Sequence, residues 1–516
     1  MSNSIIILGT ASSTGKSTVS TALCRFLKKN GYNIAPFKSL NISLKSRVTK
    51  KGEEIGRFQL VQAEACEIEA EGIMNPILIK PSVKNKTQVI VNGKKHCDME
   101  NCDIKELSND FKDFIKESYD ELSNKYENII IEGLGSCADI QFKEDDIANF
   151  YIAKNTNSNA ILVADYDKGG VFASIYGSIM LLEEDEKELI KGIIINKYRE
   201  NNIDKDREKF NQAIKKIEEL INIPVIGVLP YEDLNIEEEE IITEKLREKK
   251  RSGLNIAIIK LPHISNLTDF YPLELEKNIN IRYAKTPKDL EGANLIILPG
   301  SKNTIYDLEY IKENGVFDKI LELHKNGTSI MGICGGFQML GKSIIDLSNN
   351  QSEKRIIEGF DLLPIKTSFS LNKKTTISKG IVCSVNNELR ELSNIRVYGY
   401  EINNGASEML DGPGEVLIID SNNNVTGMSN AKGDVLGTYI HGIFEGVEFR
   451  HKLLNHFKEK YNVIIENGKE EKENYRSYKL KQYDKLCKVF EENVDTDKIL
   501  EIIKTKKEEE EKSLED

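Results

Sequence analysis

Two short stretches of this chain carry side chains that could do chemistry, and each calls for a different reaction. The first, residues 9–18, reads GTASSTGKST. Gly9 and Gly15 permit a tight turn whose backbone N–H groups point inward at phosphate oxygens. A helix starting at Lys16 adds the positive end of its dipole. Lys16 would reach the β- and γ-phosphates of ATP, Ser17 would offer its hydroxyl to Mg²⁺, and Thr10 and Thr18 belong to the same ATP-binding stretch. The common phosphate loop has four residues between its glycines, whereas Gly9 and Gly15 are separated by five.

The second stretch, residues 331–341, reads MGICGGFQMLG. Cys334 falls on an expected strand-to-helix turn. Gly335 and Gly336 permit strained backbone and close approach of a substrate, as in a nucleophile elbow. A thiol at a helix start is more readily ionised, so more of it is nucleophilic at neutral pH. Such a nucleophile wants a base, and the chain has only six histidines. His441, in GTYIHGIFE at the end of a β-like run, is the candidate. A developing oxyanion needs N–H donors. The turn at Gly300-Ser301, after the apolar run LIIL, supplies one, and Gly335 supplies another. The other seven cysteines read as ordinary core or surface residues.

These side chains need elements to hold them. The apolar runs 5–8, 129–131, 160–164, 192–195 and 225–228, each followed by a helix-like segment, predict buried parallel strands of a doubly wound α/β sheet. Glu132 follows one of these runs, at the carboxyl end where such sheets bind ligands, and is expected as a metal ligand or a carboxylate of the metal's shell. Glu54, in GEEIGRFQ, is the second metal candidate. Asn196 also follows a run, where its amide could read the two-way edge of adenine or cap a helix. Asp165 or Asp167, in DYDKGGVF, could bind metal or belong to a plain loop. Lys38 and Lys80 could meet substrate carboxylates or phosphates, or lie solvated.

The first domain is therefore expected over 1–234 and a charged linker over 235–252. The strand–helix rhythm then restarts in a second α/β domain over 253–450. A helical, partly frayed tail covers 451–516, with one helix carrying Tyr475, Tyr478, Tyr483, Leu486, Phe490 and Val494 against the body.

Composition sets bounds on function. With 39% hydrophobic and 30% charged residues the chain is globular. A net charge of −12 argues against a broad nucleic-acid surface. None of the eight cysteines forms a C-x-x-C pair, so a zinc site is not expected. No run reaches membrane-span length, no signal peptide is read, and a reducing cytoplasm is the expected compartment.

The motifs also carry a resemblance. The loop GTASSTGKST is similar to that of dethiobiotin synthetase-like ATPases. MGICGGFQMLG with the later GTYIHGIFE resembles the class I glutamine amidotransferases, in their cobalamin-pathway branch. APFKSLNISLKS, GEEIGRFQLVQAEA, MNPILIKP, IEGLGSCADI, ADYDKGGVFASIYG, INKYR, PGSKNT, GYEI and YDKL, in order along the chain, resemble the cobyric acid synthase family.

The resemblance implies a P-loop-type synthetase domain and a flavodoxin-like class I amidotransferase domain, with ATP and Mg²⁺ as cofactors. The implied reaction amidates the b, d, e and g carboxylates of adenosylcobyrinic acid a,c-diamide, with L-glutamine as nitrogen donor. It makes Cys334 the nucleophile and His441 the acid/base. Two departures stand out. Many class I enzymes read His-x-Glu, but here Ile443 holds that place, so a third member comes from elsewhere, with Glu445 as one substitute. The family often reads GYEIH, and Asn403 stands at that His. Cobyrinic acid a,c-diamide synthase, a sister amide ligase, is the alternative. A partitioning-type ATPase with an inactive amidotransferase domain is a rival of another class.

Overall fold

A computed structural model of the chain describes residues 2–43, 45–81, 86–100, 104–199, 204–232, 253–346, 356–463 and 474–504. The expected linker, 235–252, lies outside the described residues. The chain divides into two compact units, residues 1–240 with 479–516, and residues 241–478.

In the first unit, six parallel strands lie in the order Val225–Pro230, Ile190–Tyr198, Asn159–Asp165, Asn3–Gly9, Asn128–Glu132 and Ile34–Phe37. Their apolar runs are buried on both faces because side chains alternate across a strand. Ile6 and Leu8 enter one core, and Ile5 and Ile7 enter the other. The helix Lys16–Lys29 covers the second face with Val19, Leu23 and Phe26. The chain order reverses around Asn3–Gly9, so the crevice beyond its carboxyl end is the topological switch point. A smaller sheet, Leu40–Ile42, Ile77–Lys80, Lys86–Val91 and Lys94–Glu100, and the ribbon Ser46–Val48 with Glu54–Gly56, complete the unit.

The second unit begins with five parallel strands in the order Ile279–Ala284, Leu254–Ile259, Leu295–Leu298, Ser329–Ile333 and Val435–Thr438. In chain order this is 2-1-3-4-5, the flavodoxin-like arrangement. Beyond Val435–Thr438 the sheet continues through antiparallel neighbours, including the long strands Ile365–Val382 and Arg396–Met409. This extension alternates polar and apolar residues and has one solvated face, unlike the parallel core.

The C-terminal region, expected as a helical tail from 451 with one helix against the body, divides between the two units. Helix Val447–Lys460 sinks Phe449, Leu453, Leu454 and Phe457 into the second unit's core. Helix Tyr475–Asn493 sends Tyr483, Leu486 and Phe490 into the first unit's core. Polar contacts secure it there: Lys479 Nζ and Tyr483 OH donate to Glu64, Arg25 Nε donates to Asp484, and Asp495 N donates to Ile226 O. None of the helices in the described residues is long and apolar enough to cross a membrane.

Candidate active sites

In the first unit, strand Asn3–Gly9 runs into the loop and Thr10 N still donates to Val163 O, so the loop leaves the sheet at a fixed point. Ser13 and Gly15 then adopt positive φ, 63° and 93°, which turns the backbone into the helix. At Gly15 a side chain is excluded twice over: the φ is left-handed, and a Cβ would meet Asn196 Nδ2 at 2.0 Å. Lys16 Nζ lies across the loop, donating to Ala11 O (3.1 Å) and Gly135 O (2.7 Å). Ser17 and Thr18 are half-buried at the helix start.

Glu132 is 1% exposed. Ser17 Oγ (2.8 Å) and Lys38 Nζ (2.6 Å) donate to its Oε1, and Gln62 Nε2 donates to its Oε2. Burial alone would raise this carboxyl's pKa; the Lys38 ammonium, with Ser17 and Gln62, holds it below the ordinary value. Glu54 is also buried, and accepts from Ser46 Oγ and Lys80 Nζ. The two carboxylate–lysine pairs share a scaffold, because Gly56 N donates to Asn75 Oδ1 while Asn75 Nδ2 donates to Lys38 O. Lys38 and Lys80 are thus paired with buried carboxylates, not loose on the surface.

The remaining candidates have partners within the chain. Asn196 Nδ2 donates to Thr14 O (3.0 Å), so one N–H of its amide holds the loop. Asp165 faces Lys197 (2.9 Å) and Asp167 faces Arg199 (2.6 Å), which gives each a cation already in the chain. Lys197, at φ 60°, also donates to Ser13 O (2.7 Å), so this pair steadies the phosphate loop from below. No cluster of three or more His, Cys, Asp or Glu able to hold a metal occurs among the described residues.

In the second unit, strand Ser329–Ile333 delivers Cys334 at φ 50° and ψ −105°, ahead of helix Gly335–Leu340. A non-glycine residue in that region is strained and must be held by its surroundings. Cys334 N donates to Thr438 O (2.8 Å). Behind it the turn packs too closely for side chains, since a Cβ on Gly336 would lie 2.0 Å from Leu298 O. A Cβ on Gly335 would lie 2.9 Å from Ser301 N, and one on Gly300 would lie 2.8 Å from His441 Cε1. Cys334, Gly335, Gly300, Ser301 and His441 are therefore one cluster. The sulfur interacts electrostatically with His441 and donates to Ile402 O at 3.7 Å, next to Asn403 on the strand Arg396–Met409.

His441 is 1% exposed, and its ring stacks on Tyr400. Its Nδ1 lies 2.7 Å from Asp269 Oδ2 and 3.2 Å from Asn266 Nδ2. Asp269 Oδ1 accepts from Gly442 N (2.9 Å), so one carboxylate orients both the ring and its backbone. Burial alone would lower the imidazole's pKa; the Asp269 carboxylate and the Cys334 sulfur push it up to about 10. Asp269 was not among the sequence candidates. The carboxylate at Nδ1 is Asp269, in the loop after the strand Leu254–Ile259, not Glu445. The signal that would find it is topological, since loops after the first and third strands of a 2-1-3-4-5 sheet flank the switch point.

A second buried carboxylate sets the Gly300-Ser301 turn. Asp307, fully buried, accepts from Ser301 Oγ (2.6 Å) and from His263 N (3.1 Å), and its Oδ1 lies 2.9 Å from His263 Nδ1. Ser301's hydroxyl is thereby occupied.

Comparison with known proteins matches both units. A model described as a CobB/CobQ-like glutamine amidotransferase domain matches residues 255–449, and an AAA domain model matches residues 3–239. A cobyric acid synthase of Clostridium perfringens is 52% identical over 492 residues, 95% of this chain and 97% of its own length. One from Clostridium botulinum is 46% identical over 97% of this chain and 99% of its own, and one from Alkaliphilus metalliredigens is 41% identical over 96% and 99%. With likeness of this degree running through both units, the chain belongs to the cobyric acid synthase family.

Proposed function

We propose that the chain makes adenosylcobyric acid by amidating the b, d, e and g carboxylates of adenosylcobyrinic acid a,c-diamide, using ATP and L-glutamine. Cys334 Sγ, its proton held on His441, attacks the glutamine carboxamide carbon. The oxyanion forms against the N–H groups of the Gly300-Ser301 turn and Gly335, where one donor is worth roughly 3 kcal/mol of barrier. His441 passes its proton to the leaving nitrogen, ammonia departs, and a thioester remains. Water, giving a proton to His441, releases glutamate and restores the thiol. In the first unit the γ-phosphoryl of ATP moves to a corrin carboxylate, leaving ADP. Ammonia attacks the acyl phosphate carbon, and phosphate leaves.

The Ser17 Oγ and Glu132 carboxylate, which are adjacent, fit Mg²⁺, which takes hard oxygens; Glu54, buried and paired with Lys80, is the further metal candidate. A bound ion would offset the negative charge gathered around the nucleotide. Lys16 would hold the β- and γ-phosphates, and Gly9, Thr10, Gly15 and Thr18 would line their cradle. Asn196 supports that cradle through Thr14. None of the seven described cysteines forms a disulfide, which fits a reducing cytoplasm.

The observation that carries this reading is the joining, in one chain, of a Cys334–His441–Asp269 cluster with a phosphate loop whose serine meets a buried glutamate. The test is mass spectrometry of the diamide after incubation with ATP, Mg²⁺ and glutamine. Four carboxylates converted to amides is the expected result. An unchanged diamide, with cobyrinic acid in a parallel incubation amidated only at its a and c carboxylates, would instead point to the sister diamide synthase.

A further inference from the structure

The first unit holds a cavity of about 580 Å³ that shares a wall with the phosphate cradle. Ser12 of the loop and Gly135 line it, and Gly135 is the residue whose carbonyl receives Lys16 Nζ. Much of the remaining wall is apolar. Ile42 (43%), Ile140 (60%), Phe142 (61%) and Leu181 (50%) line the cavity yet stand open to solvent. Among the described residues of this unit only Tyr176, Met180 and Leu220 are comparable, and Met180 adjoins Leu181. Large apolar side chains gathered at one mouth, and not scattered, mark a surface that something covers. Of the four acids that line it, Asp139, Asp145, Asp146 and Glu186, the last two are held within the chain. Asp146 accepts from the N–H groups of Ala148, Asn149 and Tyr151, and Glu186 caps a helix turn and pairs with Lys143.

We propose that this cavity seats an apolar face of the corrin macrocycle and leaves a peripheral carboxylate beside the phosphate loop. The inference rests on the function proposed above. Phosphoryl transfer needs the carboxylate at the loop, so the body of the acceptor has to lie against the adjoining wall. That body is a broad ring with methyl-bearing faces and a polar rim, and the cavity is of ordinary ligand size. An apolar wall also suits an acceptor that must be presented in four orientations, because hydrophobic burial has no direction. A site built from charged clamps would favour one orientation.

The test uses the full chain with cobyrinic acid a,c-diamide, ATP, Mg²⁺ and ammonium chloride, comparing wild type with Phe142→Ser and Ile140→Ser. Both side chains are exposed, so the fold survives. The expected result is a rise of about 10-fold or more in KM for the corrinoid, similar for all four amidations, with KM for ATP unchanged. A corrinoid KM within twofold of wild type, or a defect in one amidation alone, overturns the proposal. So does a shift to a smaller species in sedimentation with unchanged corrinoid KM, which would make the occupant a second copy. Equilibrium dialysis of the diamide separates this from the functional reading. Retention lost in Phe142→Ser supports the cavity even if wild type amidates nothing. Retention unchanged overturns the cavity while leaving the activity intact.

Discussion

Replacing Asp269 with Asn removes one charge and almost no volume. Its Oδ1 can still accept from Gly442 N, now at 2.9 Å, so the backbone after His441 keeps its anchor. What is lost is the carboxylate at 2.7 Å from Nδ1. A buried hydrogen bond to a charged group is worth about 1.5–3 kcal/mol, and each 1.36 kcal/mol is tenfold in rate. The kcat for glutamate release should therefore fall about 10- to 150-fold. The pH profile carries a second signature. In the native protein the imidazole stays protonated up to about pH 10. Without Asp269 its pKa slides toward the ordinary value of about 6.5, and the alkaline limb of glutaminase activity moves down with it. The raised pKa also stabilises the fold: that contribution is full below about pH 6.5 and is lost as pH rises through about 10. The assay is glutamate release across roughly pH 6–11, beside amidation from ammonium chloride as a control for the first unit. An unchanged kcat with an unmoved alkaline limb would refute the reasoning.

Two further outcomes follow from the first unit. Lys16→Met removes the ammonium that bridges Ala11 O and Gly135 O, and ATP-dependent amidation should fall at least about 100-fold while glutamine cleavage persists; product formation is the readout. Glu132→Gln leaves Lys38, 3% exposed, without its carboxylate, which should cost about 3–5 kcal/mol in urea unfolding. Because the carboxyl's pKa is held below its ordinary value, its contribution is present above about pH 4.3 and disappears as pH falls further. The Gln variant should lack that acid-side loss.

The parallel strands were legible because 5–8, 129–131 and 160–164 are buried on both faces and so read as unbroken apolar runs. The Gly9–Gly15 spacing and the Cys334 turn were legible because glycine is required where backbone crowds backbone. Asp269 was not, since it meets His441 across 172 residues from a loop with no periodicity. The antiparallel extension was missed because strands such as Arg396–Met409 alternate buried and exposed residues and carry many polar ones. The pairing of Glu132 with Lys38, and of Asn196 with Thr14, depends on which loops the sheet order brings together. The final helix was foreseen as packed, but not that its apolar side chains belong to the first unit's core.

The most direct measurement follows the nitrogen. Wild type and Cys334→Ser are each given glutamine labelled with ¹⁵N in its amide, Mg²⁺ and cobyrinic acid a,c-diamide, with or without unlabelled ammonium chloride, with ATP present and, as a control, with ATP omitted. The account predicts labelled corrinoid amides from wild type. From Cys334→Ser it predicts only unlabelled amides, and those only when ammonium is present. Label reaching the corrinoid in Cys334→Ser, or amides forming without ATP, would contradict it.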